Sequence, residues 1–173
     1  KPLAKYWMHT GFLTVSGQKM AKSLHNFITI DDFLKMHSSY RYLRFFVAKH
    51  LWRSPIDYSE SAMIEVKSNV WKIEEFLRKI KSAKLESKNK LKSSKSEIKN
   101  LIKRTKSGFY NNLDDDFNTP KAFAFIFDFI RDANILLDKN FVGKKEADEI
   151  YKFFIQINDI FDFIDIKNLK QSA

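Results

Sequence analysis

Cysteine is absent from this 173-residue sequence, and glycine and proline are scarce, at four and three residues. Without a thiol, disulfides and thiolate-held zinc are excluded within the segment. Few turn formers beside seventeen phenylalanines disfavour a turn-rich β fold and favour helices. No run of about 18 apolar residues occurs, so nothing in the sequence reads as membrane-spanning. The opening KPLAKYWMHTGF, residues 1–12, has neither the apolar core nor the cleavage site of a signal peptide. A cytoplasmic location is the resulting expectation. At 44% apolar composition the chain is long enough to bury a core within one domain.

Acidic residues are scarce in one place. Residues 78–106 hold twelve Lys or Arg and two Glu, whereas the remainder holds nineteen basic and nineteen acidic residues. The whole formal charge of +10 therefore belongs to one segment. Such a segment attracts polyanions through counterion release, with no sequence preference. The plainer alternative is a solvated, lysine-rich pair of helices.

The alternation in WMHTGFLTVSG, residues 7–17, predicts a strand bounded by Gly11 and Gly17, and Lys19–Phe27 then reads as a loop. Thr29 can cap a short helix with Asp31 and Asp32 in its first turn, ending near His37. From Ser39 onward the pattern is helical. Tyr40, Leu43, Phe46, Val47 and Leu51 form an expected buried stripe on a helix broken by Pro55. Met63, Val66, Val70, Ile73, Leu77 and Ile80 mark one face of the next helix. The Lys/Ser-rich stretch 82–96 is the expected helix–helix turn or disordered segment. Leu101, Ile102, Phe109 and Leu113 continue a helix that stops at Asp114–Asp116. Thr119 suits an N-cap and Pro120 the first helical position. The helix that follows, residues 121–139, is apolar almost all round and is expected at the centre of the core. Residues 146–164 form the final helix. The predicted fold is mainly α: an antiparallel bundle of four or five helices behind a short strand–loop segment, with a division between 1–37 and 38–173.

A strand, a glycine and a loop with two lysines can place ammonium groups over a polyphosphate. Such charge speeds reaction only if it interacts more strongly with the transition state than with bound substrate. Spacing alone also fits a solvated turn. The context is more specific. KMAKS, residues 19–23, resembles the Lys-Met-Ser-Lys-Ser signature of class I aminoacyl-tRNA synthetases. Three ordered blocks, residues 6–34, 43–59 and 113–128, resemble cysteinyl-tRNA synthetase.

The resemblance implies an enzyme that activates cysteine with ATP, as its magnesium complex, and transfers it to the 3′ end of tRNA(Cys). It implies that Lys22 contacts ATP phosphates and stabilises charge as pyrophosphate departs. Lys19 is then a supporting electrostatic group, the Met20 backbone lies near the adenine, and Ser23 holds the loop or donates its hydroxyl. Residues 1–37 become the end of a Rossmann-type catalytic domain. Residues 38–173 become a DALR-like, tRNA-contacting bundle, in a protein expected to be monomeric. The His-Ile-Gly-His motif and the zinc ligands of the family lie outside these residues, so the expectation is a fragment without zinc that is inactive alone. Two readings compete: a paralogue joining cysteine to a small amine, and a non-catalytic helical RNA-binding or interaction module.

Ala21 stands where the signature has serine, and His25 where the family has glycine. If that second position needs positive φ, histidine is strained there. HLWRSP, residues 50–55, departs from the family's His-Tyr-Arg-Ser-Pro at Leu51 and Trp52 and keeps Arg53. His9 reads as a packing or hydrogen-bonding residue of the strand, and His37 and His50 have no second ligand at metal-binding spacing. Asp114–Asp116 read as charge near a helix start, capped with Asn118 and Thr119, rather than as a magnesium site. Trp52 and Arg53 can meet tRNA, meet a catalytic domain, or brace a helix end.

Overall fold

Helix α1 (Ile30–His37) begins because Thr29 and Asp32 satisfy each other's backbone. The Thr29 side chain accepts from the Asp32 N–H at 3.0 Å, and the Asp32 carboxylate accepts from the Thr29 N–H at 3.2 Å. That capping box removes two orphan donors, and the Thr29 hydroxyl holds the Asp32 carboxyl below its usual range. The expected Thr29 cap and the expected end near His37 both stand.

The computed structural model describes residues 3–86 and 95–171. Ahead of α1 lie strands β1 (Leu13–Val15) and β2 (Gln18–Lys19). After it come helix α2 (Tyr40–Ala48), strand β3 (Ile56–Tyr58) and helices α3 (Glu60–Glu86), α4 (Lys95–Asp114), α5 (Thr119–Asp138), α6 (Lys144–Phe161) and α7 (Ile166–Gln171). Of the stretch 82–96 where a connection is expected, residues 82–86 and 95–96 are helical, and 87–94 lie outside the described residues. The strands form one sheet ordered β2-β1-β3, with β1 antiparallel to β2 and parallel to β3. The expected strand is thus β1, but β2 and β3 were not anticipated. β3 is three residues long, directly after Pro55, and its partner lies some forty residues away in sequence. Local alternation cannot signal such a strand.

The α3 stripe is as the spacing predicts. Met63, Val66, Val70, Ile73, Leu77 and Ile80 are all buried, and Phe76 widens the face. Phe76 meets Phe129 of α5 and Phe154 of α6, at centroid distances of 5.8 and 5.5 Å. Phe109 of α4 meets Phe153 edge-on at 5.7 Å. Interlocked rings of this kind add to the burial of their area. Phe123 and Phe129 of α5 are buried, while Phe125 and Phe127 are half-buried, so this helix is central as expected.

Three expectations need correction. The α2 stripe is rotated: Phe45 and Phe46 are buried, whereas Tyr40, Val47 and Leu51 are 43%, 51% and 43% exposed. Phe45 is drawn inward by Phe123 and Phe163, at 5.2 and 4.9 Å. The other apolar edge of α2, with Leu43 and Val47, borders an open groove of about 590 Å³ that Phe12, Trp52 and Phe117 also line. A short helix with apolar residues on two sides takes its buried face from the neighbours it meets. Second, the cap of α5 is Asn118, whose side chain accepts from the Lys121 N–H, and not Thr119. Thr119 instead donates its hydroxyl to the His50 carbonyl at 3.2 Å. Third, the last long helix ends at Phe161, with Asp162 left-handed at its end. The Asn158 amide then accepts from the Phe163 and Ile164 N–H groups and starts the chain toward α7.

Trp52 and Arg53 brace the bundle. The Trp52 indole donates to the Asp116 carbonyl at 2.9 Å, and the Arg53 fork grips the Asp116 carboxylate at 2.8 and 3.0 Å. The guanidinium also lies 3.9 Å over the Trp52 ring. Asp116 and Phe117 both have φ of 52°, so this clasp holds a left-handed turn between α4 and α5. The same loop receives the chain before β1, where the Gly11 N–H donates to the Trp52 carbonyl at 2.9 Å.

A Cβ on Gly11 would collide with the Ser54 carbonyl, a backbone group that cannot swing aside. Gly11→Ala is therefore expected to cost about 1–3 kcal/mol, as overpacking does elsewhere. Urea unfolding measures this, and an unchanged midpoint would contradict the close approach. His37, buried against Phe33 and hydrogen-bonded to the Tyr58 hydroxyl at 2.8 Å, has its pKa lowered chiefly by burial and then by Lys67, with Glu60 opposing. The folded state thus prefers the neutral ring. Its contribution is complete above the ordinary histidine value of 6.5 and declines as pH falls through that value, because the unfolded chain then binds the proton first. Between pH 7.5 and 5, wild type should lose more stability than His37→Gln, and parallel losses would contradict this.

Candidate functional site

The lysine loop is pinned by its own backbone. Thr14 faces Lys19 and Val15 faces Gln18, leaving Ser16 and Gly17 as a two-residue connection with φ of 51° and 77°. Two left-handed residues in succession define the hairpin turn whose twist suits flanking strands, and Gly17 meets that demand without strain. The chain leaves β2 in extended form at Ala21 and makes one 3-10 turn over Lys22–Leu24. His25 closes it with φ 51° and ψ 23°, its N–H donating to the Lys22 carbonyl at 3.1 Å. The condition left open for residue 25 is thus met: its φ is positive, and a non-glycine residue occupies it.

Asn26 ties the loop across. Its Oδ1 accepts from the Ala21 N–H at 2.9 Å and its Nδ2 donates to the Lys19 carbonyl at 3.1 Å. One amide thereby fixes the backbone on both sides of Met20. Asn26 is not among the residues that the sequence pattern singles out. Its signal was a short side-chain amide just beyond a compact turn, the residue type that bonds nearby backbone in loops.

Lys19, Lys22 and Ser23 are exposed on this frame, and Met20 is half-buried. The Lys22 Nζ lies 5.6 Å from the Phe27 ring centroid. A cation over an exposed ring is held weakly, so Lys22 can leave it for a stronger anion. The loop offers two ammonium groups on one short, braced segment, an arrangement suited to phosphate oxygens. Lysine serves there as a point charge rather than a geometric fork.

The remaining candidates have other occupations. His9 precedes β1, is exposed, and stacks on Trp7 at 6.4 Å. The His50 Nδ1–H donates to the Phe46 carbonyl at 2.6 Å. Asp116 is taken by Arg53, whose hydrogen bond keeps the carboxyl below its usual range. Among the described residues no three potential ligands converge on a metal. With no cysteine in the chain and with His37 and His50 already bonded within the fold, these residues do not fit the zinc of the resembled family.

Much of the basic segment is internally engaged where it is described. Arg78 pairs with Glu74 and Glu75, Arg104 with Asp132 and Lys106 with Glu149, at 3.1–3.6 Å. Lys81 donates to the Leu169 carbonyl at 2.8 Å. Lys79, Lys99 and Lys103 are exposed. Among the described residues, no helix is long and apolar enough to cross a membrane.

Comparison with known proteins agrees with this arrangement. Residues 1–68 match the tRNA synthetases class I (C) catalytic domain, and residues 108–164 match the DALR domain. The chain is 35% identical over 168 residues to the cysteine–tRNA ligase of Methanococcus maripaludis, covering 94% of this chain and 35% of that protein. The corresponding ligase of Thermococcus onnurineus is 34% identical over 174 residues, covering 98% and 36%. That of Persephonella marina is 37% identical over 157 residues, covering 88% and 31%. The chain thus spans about a third of the length of these curated relatives. Both domain matches and the relatives in common fall on the residues that build the braced lysine hairpin and the bundle, and the chain belongs to the cysteinyl-tRNA synthetase family.

Proposed function

We propose that this chain works as part of a cysteine–tRNA ligase that forms cysteinyl-adenylate from cysteine and ATP and passes the cysteine to tRNA(Cys). The observation that carries the proposal is the braced loop of residues 19–26, with two exposed lysines on a backbone fixed by Asn26. Lys22 stabilises the charge that grows on pyrophosphate as it leaves. Lys19 adds to the same field, the Met20 backbone borders the adenine, and the Ser23 hydroxyl supports the loop. Because Ala21 lacks a hydroxyl, the loop depends on its backbone N–H, which Asn26 already holds. Residues 1–37 serve the catalytic domain and residues 38–173 form the bundle that meets tRNA, with exposed Lys79, Lys99 and Lys103 among its cations. ATP enters as its magnesium complex. Zinc, as the family resemblance implies, is assigned to parts of the enzyme outside these residues.

In the complete enzyme, Lys22→Ala is expected to slow cysteine-dependent ATP–pyrophosphate exchange by about 10²–10³-fold, the usual cost of one transition-state electrostatic contact. Binding of tRNA should change far less, and equal losses in both would contradict the assigned role. Asn26→Ala is expected to lower exchange about tenfold, the scale of two neutral hydrogen bonds. Undiminished exchange in that variant would show that the loop needs no such tie. Binding of tRNA should fall steeply with salt. A salt-insensitive or absent interaction would favour ligation of cysteine to a small amine.

A further inference from the structure

Asp57 sits on β3, in the link between α2 and α3, yet its side chain serves the hairpin forty residues earlier. Its Oδ1 accepts from the Thr14 hydroxyl at 2.6 Å and from the Gly17 N–H at 2.7 Å. Next to it, the Tyr58 carbonyl accepts from the Ser16 N–H at 3.0 Å. Both N–H groups of the left-handed turn are thus satisfied from β3, and the turn opens directly into β2 and Lys19. A Cβ on Gly17 would meet open space, so the glycine itself packs against nothing that would hold the turn.

The carboxylate is the odd feature. An acidic group bonded to Gly17, two residues before Lys19, opposes anion binding at the lysine loop, so its presence must be explained by what it accepts. Hydrogen bonds to a charged acceptor are shorter and stronger than neutral ones, and the two donors hold the Asp57 carboxyl below its usual range. A parallel ladder three residues long is a weak restraint by itself. The carboxylate fixes the one part of the hairpin that the ladder leaves to glycine.

We infer that Asp57 is a positioning residue for the lysine loop: it locks the Ser16–Gly17 turn from the helical side, so that Lys19 and Lys22 meet ATP phosphates already oriented. This rests on the phosphate-binding role proposed for the loop. Misplacing a charge by about 1 Å can cost on the order of a hundredfold in rate. A hold on the turn therefore acts through ATP and leaves cysteine recognition alone.

The test uses the complete enzyme with Asp57→Ala, Asp57→Asn and Thr14→Val. Asp57→Ala is expected to lower kcat/KM for ATP in pyrophosphate exchange by roughly tenfold to a hundredfold, with KM for cysteine unchanged. Asp57→Asn keeps an acceptor oxygen and should recover most of the loss, while Thr14→Val should fall between. Hydrogen exchange at the amides of residues 16–19 should accelerate in Asp57→Ala and not in Asp57→Asn. Wild-type ATP kinetics in Asp57→Ala would overturn the inference, as would equal defects in the alanine and asparagine variants. If wild type itself shows no cysteine-dependent exchange, the proposed ligase function fails. The amide exchange then decides the turn-locking claim alone, and unaltered protection in Asp57→Ala refutes it.

Discussion

A three-residue strand drawn from the link between two helices fixes the lysine hairpin against the bundle. Ile56–Tyr58 pairs in parallel with Leu13–Val15, and that pairing, with the Asp57 side chain and the Gly11–Trp52 contact, ties the lysine hairpin to the bundle. The sheet also explains the residues around it. Pro55 ends the preceding loop where no N–H is needed for helix. Gly11 lets the incoming chain touch the Ser54 carbonyl region, and Tyr58 reaches His37 at the end of α1. Loop, sheet and bundle become one body through contacts that are individually small.

The bundle side of that body is held by phenylalanine. Rings from α2, α3, α4, α5 and α6 meet edge-on or tilted at the centre, joined by Phe163 from the turn into α7. An aromatic core of this kind tolerates few glycines and has little use for prolines, which is the composition observed. The clasp of Trp52 and Arg53 on Asp116 then transfers the position of the α4–α5 turn to the loop that receives Gly11. Because the Arg53–Asp116 pair is exposed, its value lies in geometry more than in energy.

Much of this was legible in the sequence, and what was missed shares one cause. The Thr29 cap, the α3 stripe from Met63 to Ile80 and the lysine loop are local features, encoded by spacing and residue type. The α2 face, β3 and Asp57 are not local. Phe45 is buried because Phe123 and Phe163 lie where they do, and Ile-Asp-Tyr is a strand only because residues 13–15 offer it an edge. Asn118 displaced Thr119 as the cap because the Thr119 hydroxyl had the His50 carbonyl to satisfy. Tertiary partners settled each case. The family resemblance points to Lys19 and Lys22, while the residues that hold them are evident only from the fold.

The Lys22 ammonium lies over the Phe27 ring in this structure, and the proposed role requires it to leave that ring for the phosphates of ATP. A crystal structure of the complete enzyme with a non-hydrolysable ATP analogue and cysteine tests it most directly. The Lys22 Nζ is then expected within hydrogen-bonding distance of phosphate oxygens, with Asn26 still bonded to the Ala21 and Lys19 backbone. A Lys22 side chain that remains on Phe27, or turns to solvent, with the nucleotide bound would contradict it.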